Sequence, residues 1–259
     1  MPGYGSAEFR FVPAGKIYSP TEIEKLHNAE IIHVDTGAGI FDHHETNDQG
    51  ICASSLVLDY LIQNAHIEGQ HETSLRRIIN IITEIDHFRE VFWPEPDHDR
   101  YEFFLEQIFD GFKTLHRDQD LRLMNFGFEA LEAIYHKMQN KVKAEEEIKK
   151  GLKFTAGKNI SGYAGETIND EIVKLAQKKG FQIVIRKDPR KNYVRIKAVP
   201  NGKIDLTAAY SALQNADRQA TWFLHASRCM ILNGSTKNPD MKPTKLSLQE
   251  VVEIIKRSL

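Results

Sequence analysis

Cysteine is scarce in this chain, which has only two, Cys52 and Cys229, far apart and without a C-x-x-C pair. This argues against a disulfide framework, and two isolated thiols are typical of a reducing cytosol. Long apolar runs are missing too: none approaches the length that crosses a bilayer, and the first residues lack a signal peptide's basic and apolar regions. Together these absences predict a cytoplasmic protein with no membrane partner.

A large charge of one sign is also lacking. The formal net charge is -2 and the pI is about 6.6, so the chain has no bulk attraction to a polyanion. Hydrophobic residues make up 41% of the 259 residues, which is enough for one or two cores, and the length favours two domains. Composition thus limits the function without selecting one.

The chain does contain a strand-like run that leads into a polar, glycine-rich loop. Residues 31–34 are β-branched and apolar apart from one histidine, which predicts a buried strand that ends at Asp35. Thr36, Gly37 and Gly39 follow, where the backbone must turn tightly. Ligands of open α/β sheets collect at the carboxyl ends of strands, so Asp35 is a candidate ligand residue.

One short loop later the chain carries the triplet Asp42, His43 and His44. A second carboxylate and two imidazoles beside Asp35 form the mixed oxygen and nitrogen ligand set of a divalent metal such as Mn²⁺ or Zn²⁺. The alternative is that Asp42 caps a turn and the two histidines are a solvated surface pair. Asp35 and its flanking glycines favour the metal site.

The Val-Asp-Thr-Gly segment followed by Phe-Asp-His-His resembles the DHH phosphoesterase superfamily. This superfamily includes single-strand exonucleases, manganese pyrophosphatases and cyclic-dinucleotide phosphodiesterases. The closer likeness is to the branch with the melanocyte-proliferating-gene exonucleases, and a second match lies in His-Ala-Ser at 225–227 and Asn-Gly-Ser at 233–235. The resemblance implies a parallel-sheet N-terminal domain of the DHH type and a smaller α/β C-terminal domain.

Asp86 is a further candidate ligand because of its place on a predicted helix. The spacing of apolar residues predicts a helix over residues 73–92, and Asp86 falls inside its apolar stripe beside Ile79 and Ile82. A carboxylate there is costly unless it is paired or bound to a metal, although a helix-end aspartate can also tilt towards water. The superfamily places its last metal-binding aspartate in a comparable helix, and Asp86 matches that position.

The resemblance also implies a role for each candidate. Asp35, His43 and Asp86 would hold one or two ions of Mn²⁺, with Mg²⁺ or another divalent cation as alternatives. His44 would contact the scissile phosphate, and Asp42 would orient the imidazoles.

The superfamily's first motif, a strand ending in a His- and Asp-rich loop, has no counterpart, since no aspartate precedes Asp35. Two explanations stay open: the first strand is lost through a mis-assigned start or a fragmentary gene, or the protein has discarded the motif. We expect the chain as written to bind divalent metal weakly, to hydrolyse little or nothing, and to lack the first strand of its sheet.

Three segments are predicted. They are a DHH-type metal-binding domain at residues 1–120, a helical linker at 121–155 and a C-terminal substrate-binding domain at 156–259. Periodicity and capping patterns predict the elements that matter here: a short helix from Ser19 to near Asn28, a helix at 53–63, a hairpin of strands 181–186 and 193–197, and a last helix opened by a capping box at Ser247.

The C-terminal domain carries the candidate substrate contacts. A glycine-containing turn beside a lysine can hold a phosphate, and the superfamily binds the substrate's end in this domain. The candidates are His225, Asn233, Gly234 and Lys237. Relatives have glycines where this chain has Arg228, Ile231 and Leu232, which would narrow or alter that site. The cations that crowd the hairpin are better explained as ordinary surface charge than as a binding site; they are Arg186, Lys187, Arg190, Lys191, Arg195 and Lys197.

These patterns predict a metal-dependent phosphoesterase that hydrolyses phosphodiester or phosphoanhydride bonds, as an exonuclease or a nucleotide phosphodiesterase would. Its partner would be a phosphate-containing substrate, an oligonucleotide or a nucleotide. The alternative is a non-catalytic nucleotide- or nucleic-acid-binding protein with an incomplete metal site.

Overall fold

The computed structural model describes residues 7–13, 15–19, 30–234, 238 and 240–259. The fold is mixed α/β, and the chain forms two compact units, Met1–Gln139 and Asn140–Leu259. The short helix predicted from Ser19 falls almost wholly on residues outside the described part. No helix in the described part is both long and apolar enough to cross a membrane.

The described part of the first unit is helical. Its elements are α1 (Ala53–Gln63), α2 (Gly69–Asp86), α3 (Leu105–Leu115) and α4 (Asp120–Lys150), with 3-10 turns at Arg89–Phe92 and Asp99–Phe103. The prediction of a helix over 53–63 is confirmed. Helix α4 continues past the boundary at residue 139, so the two units share one helix.

The strand predicted at residues 31–34 was wrong. The described residues of the first unit contain no strand, so the expected parallel sheet is not seen among them. Ile32 and Val34 are 39% and 49% exposed, not buried. A strand needs a neighbour to pair its N–H and C=O groups, and the apolar pattern of one segment says nothing about that neighbour.

Helix α2 also differs from its prediction. It ends at Asp86, and Phe88, in the left-handed region at φ 56°, stops it from continuing into the 3-10 turn. Its buried residues are Ser74 and Thr83, whereas the isoleucines of the predicted stripe are half-buried. The stripe was correctly read as helical, but its burial depends on packing that periodicity does not specify.

The second unit contains a six-stranded sheet with helices on both faces. Its strands are β1 (Leu152–Ala156), β2 (Ile160–Glu166), β3 (Ile183–Lys187), β4 (Val194–Ala198), β5 (Trp222–Leu224) and β6 (Met230–Asn233). Its helices beyond α4 are α5 (Glu171–Lys178), α6 (Thr207–Ala216) and α7 (Leu248–Ser258). The strand order is β1-β2-β3-β4-β6-β5, and only β2 and β3, joined through α5, are parallel.

Alternation along the strands sends apolar side chains to both faces of this sheet. In β3, Ile183 and Ile185 pack in a core with α6 and α7, whereas Val184 packs on the other side with α5 and the end of α4. The predicted β3–β4 hairpin is confirmed, with Ile185 opposite Ile196. The capping box at Ser247 is also confirmed, since its hydroxyl accepts from the Glu250 N–H at 3.2 Å.

The sheet of the second unit begins before residue 156, where the C-terminal domain was predicted to start. Strand β1 starts at Leu152 and pairs with β2, so residues 152–155, predicted as part of the helical linker, lie in the sheet.

Candidate metal centre

The loop that carries the triplet is closed by backbone hydrogen bonds. The Asp35 N–H donates to the Phe41 carbonyl at 3.0 Å, and the Asp42 N–H donates to the Gly39 carbonyl at 3.0 Å. Asp35 and Ala38 both have positive φ, 60° and 53°, a conformation that costs about 1–3 kcal/mol for residues with a side chain and persists only where the surroundings enforce it. The loop therefore holds Asp35 in a conformation that an open segment would not keep.

Phe41 packs this loop against helix α1. It is one of the few fully buried hydrophobic residues among the described residues of this unit, and its ring lies edge-on to Tyr60 of α1 at 5.3 Å between centroids. The residues that follow it in the chain are the triplet. A buried aromatic anchor thus fixes the start of the segment that bears the imidazoles.

His43 lies between two carboxylates. Its Nδ1 is 3.4 Å from Asp35 Oδ1 and its Nε2 is 3.0 Å from Asp86 Oδ2, and its side chain is only 11% exposed. Two donor atoms that share one metal ion, each about 2.1 Å from it, lie about 3.0–3.4 Å apart. Both spacings are therefore compatible with a shared cation.

The nitrogen that faces Asp35 is the more informative one. Nδ1 of His43 is buried and has no hydrogen-bond partner in the described part of the chain. The other ring nitrogen, Nε2, lies in ion-pair contact with Asp86, and a neutral imidazole has one N–H and one lone pair. With the proton on Nε2, Nδ1 presents its lone pair beside the Asp35 carboxylate oxygen 3.4 Å away, and a cation between the two atoms would remove their repulsion. The residues present thus fit a metal ion at this position.

Asp35 and Asp86 approach His43 from opposite sides of its ring. They lie next to different nitrogens and belong to two separate groups of possible donors, the first with Asp42 and His44 and the second with His87. One coordination sphere containing Asp35, His43 and Asp86 stays a prediction. Residue types and spacing do not determine which edge of an imidazole ring faces which carboxylate.

Asp86 is less buried than predicted. As the last residue of α2, it leaves 30% of its side chain exposed, and it reaches His43 from the helix end instead of lying under an apolar stripe. Its neighbour His87 was not predicted at all. The His87 ring lies 5.7 Å from that of His43, and its position directly after a candidate ligand was the only sequence signal.

Asp42 and His44 form a charge-assisted pair. His44 Nδ1 is 2.6 Å from Asp42 Oδ1, while Asp42 Oδ2 accepts from the Ala38 N–H at 2.7 Å. The bond to His44 is the main reason that the pKa of Asp42 falls to about 2, and the same bond raises the pKa of His44. His44 is 64% exposed, so its Nε2 edge is free to meet a ligand from solvent.

A cleft opens on the Asp35 side of this cluster. It has a volume of about 620 Å³ and is lined by Asp35, Asp42, His44 and Glu45 together with the glycine-containing turn at 36–38. Its size is within the range of small-ligand pockets. Partial burial raises the pKa of Asp35, and the two neighbouring imidazoles oppose that rise.

The predicted substrate contacts of the second unit lie in different surroundings. His225 is exposed in the turn between β5 and β6, where Nδ1 lies 2.8 Å from Ser227 Oγ. Gly234 is buried at φ 79° against the Tyr193 ring and borders a cavity of about 190 Å³. Lys237 lies outside the described residues. The predicted groove that would bring His225 opposite His44 stays a prediction.

Asn233, a predicted substrate contact, is hydrogen-bonded within the fold. It is fully buried, its amide donates to the carbonyls of Thr221 at 2.8 Å and Lys242 at 3.0 Å, and its oxygen accepts from the Thr244 N–H at 2.7 Å. Both amide hydrogens and the oxygen are engaged within the fold. A substrate could use this amide only by breaking those bonds.

The reading of the basic hairpin as surface charge was wrong for two of its members. Arg186 and Lys187 are 8% and 7% exposed. Arg186 Nη1 pairs with Asp170 at 3.0 Å, and Lys187 Nζ donates to the Leu246 carbonyl at 2.6 Å. Arg186 is thus in an ion pair and Lys187 donates to a backbone carbonyl, as buried cations require a partner.

No protein-family model matches this sequence, and no curated protein matches it significantly. The case for a function therefore rests on the residues and their geometry.

Proposed function

We propose that this protein is a metal-dependent phosphoesterase of the DHH type that hydrolyses phosphodiester or phosphoanhydride bonds. The observation that carries the proposal is the buried, unpartnered Nδ1 of His43, which faces the Asp35 carboxylate at 3.4 Å. The DHH character of the first unit, including a parallel sheet, rests on the sequence resemblance alone.

Asp35 and Nδ1 of His43 would hold the metal, with Mn²⁺ as the first candidate and Mg²⁺ or another divalent cation as alternatives. Such an ion lowers the pKa of a bound water and so supplies a nucleophile near neutral pH. Asp86 would accept a hydrogen bond from the N–H at His43 Nε2 and so keep the lone pair on Nδ1, directed at the metal. This carboxylate–histidine arrangement raises the basicity of the ligand.

His44 would bind the substrate phosphate. Its raised pKa keeps the imidazole protonated to a higher pH than usual, and its exposed edge borders the 620 Å³ cleft. Asp42, which holds Nδ1 of His44, would fix the orientation of that cation. The substrate class is a nucleotide or an oligonucleotide, and the setting that we propose is the cytoplasm.

The site has few metal donors, and a non-catalytic binding protein is therefore the second candidate function. Asp42 and His44 are bonded to each other, so among the described residues Asp35 and His43 contribute the two most direct metal donors. Too few donors leave a metal weakly held and a water poorly positioned. A non-catalytic nucleotide- or nucleic-acid-binding protein with the same fold would have the same incomplete donor set.

Hydrolysis of a phosphodiester, with and without Mn²⁺, tests the proposal. We expect slow, Mn²⁺-dependent turnover of bis-p-nitrophenyl phosphate that disappears in His43→Ala. The matched control is His136→Ala, which removes an imidazole that is 68% exposed on α4. Binding of a nucleotide without any Mn²⁺-dependent turnover would favour the non-catalytic alternative.

A further inference from the structure

Three side chains at the end of α2 attach this helix to residues 49–52, and we call this set the α2 clamp. Thr83 Oγ1 lies 3.2 Å from Cys52 Sγ, and both groups are buried. His87 Nε2 lies 2.7 Å from the Ile51 carbonyl oxygen, and Arg89 Nη2 donates to the Gln49 carbonyl at 2.8 Å. The clamp thus connects the helix that bears Asp86 to the segment just after the triplet.

The contact of His87 determines where its proton is. A carbonyl oxygen only accepts hydrogen bonds, so Nε2 of His87 carries the hydrogen and has no lone pair to offer a metal. The same nitrogen is 3.9 Å from Asp86 Oδ2, which is beyond hydrogen-bond distance. His87 is therefore adjacent to the candidate metal centre but directs its donor at the backbone of another segment.

His87 is also the residue at which α2 ends. It is the C-cap, and its own N–H bonds to the Thr83 carbonyl at 3.2 Å. The last turn of a helix frays when its end is not tied down. Asp86 occupies that turn with a partly exposed side chain, so its 3.0 Å contact with His43 depends on what holds the turn.

We infer that His87 is a positioning residue: its bond to the Ile51 carbonyl holds Asp86 against Nε2 of His43 and thereby sets the affinity of His43 for a divalent cation. The inference rests on the proposed function for its metal, but the positioning itself is a property of the metal-free chain. Arg89 is the more exposed part of the clamp and lies farther along the chain from Asp86.

The first test is Mn²⁺ affinity of the full chain, measured by titration with Mn²⁺ alone. His87→Leu keeps the volume and loses the donor, whereas His87→Gln keeps an N–H at a similar reach. We expect His87→Leu to bind Mn²⁺ about tenfold more weakly and His87→Gln to stay within about threefold of the unaltered chain, as for other outer-sphere partners. His136→Ala, the imidazole control, should bind as the unaltered chain does.

Equal loss of affinity in both His87 variants would show that the imidazole itself is needed and would overturn the inference. Unchanged affinity in His87→Leu would overturn it too. If His87→Leu does not fold, the Gln variant decides, because a tenfold loss in that variant contradicts a role that an N–H donor can fill.

The second test separates this inference from the proposed function. Crystal structures of the metal-free chain and of His87→Leu should show the Asp86–His43 contact in the first and its loss in the second. A contact that persists in the variant overturns the inference, whether or not the chain binds Mn²⁺. Absence of Mn²⁺ binding to the unaltered chain rejects the proposed function instead, and the contact still decides the role of His87.

Discussion

At the scale of single residues, the candidate centre consists of two imidazoles that each contact a carboxylate. His44 is bonded to Asp42 within the triplet, and His43 is in contact with Asp86, the last residue of α2, at 3.0 Å. The two rings stack with centroids 4.6 Å apart. In the proposed site, His43 would offer a lone pair to a metal beside Asp35, and His44 would offer an N–H towards the cleft.

The pKa of His44 tests the pair within the triplet. Asp42→Asn removes the carboxylate whose hydrogen bond and charge stabilise the protonated ring, so the pKa of His44 should fall towards its ordinary value near 6.5. Titration of the metal-free chain, followed through the histidine NMR signals, measures it directly. A His44 pKa that does not change in Asp42→Asn would mean that the 2.6 Å bond does not exist in solution.

The sign of the pH dependence follows from the two directions. The lowered pKa of Asp42 contributes stability above its ordinary value near 3.8, and that contribution is lost as the pH falls towards 2. The raised pKa of His44 contributes stability below about 6.5, and that contribution is lost as the pH rises through the raised value. The pair should therefore stabilise the loop most between about pH 4 and 6.5.

At the scale of elements, the sequence predicted what depends on local pattern. Helix α1, the β3–β4 hairpin and the capping box at Ser247 are all determined by residues close in the chain. The strand at 31–34 could not be predicted safely, because a strand depends on a distant partner. The site shows the same limit. The candidate ligands predicted from the sequence come together, but packing determines which edge of the imidazole each carboxylate contacts. Packing also determines that His87 contacts the Ile51 carbonyl.

Asn233 links three segments of the second unit, and its removal should destabilise that unit. Asn233→Ala leaves the Thr221 carbonyl and the Thr244 N–H without this buried partner, while the Lys242 carbonyl keeps its bond from the Thr221 N–H. We expect the free energy of unfolding to fall by about 1–3 kcal/mol or more. Urea unfolding followed by Trp222 fluorescence in a Trp93→Phe background measures this loss.

The matched control for this prediction is Asn215→Ala, because Asn215 is exposed on α6. Its effect should stay within about 0.5 kcal/mol. If Asn233→Ala were as stable as this control, the buried amide would not stabilise the fold, and a role in substrate binding would be the better explanation of Asn233.

At the scale of the whole molecule, the two units differ in how much apolar surface they bury. Both clusters of buried core residues belong to the second unit. In the described part of the first unit, only Phe41, Cys52, Ala53 and Leu58 are buried hydrophobic residues, while Phe92 is 85% exposed. Burial of apolar area is the main favourable term in folding, so the first unit should be the less stable one.

Urea should therefore unfold the units in sequence. Trp93 lies in the first unit and Trp222 in the second, so chains that keep only one tryptophan, Trp222→Phe and Trp93→Phe, report each unit separately. We expect the Trp93 signal to change at a lower urea concentration than the Trp222 signal. Coincident transitions would show that the units unfold as one, contrary to their difference in burial.

The proposed metal centre requires that Nδ1 of His43 binds a divalent cation together with Asp35. Electron spin echo envelope modulation of Mn²⁺ added to the full chain detects a histidine nitrogen bound to the ion. We expect a coupling to one histidine nitrogen that is lost in His43→Ala and kept in His44→Ala. A coupling that survives in His43→Ala, or a chain that shows none, would show that His43 is not the ligand.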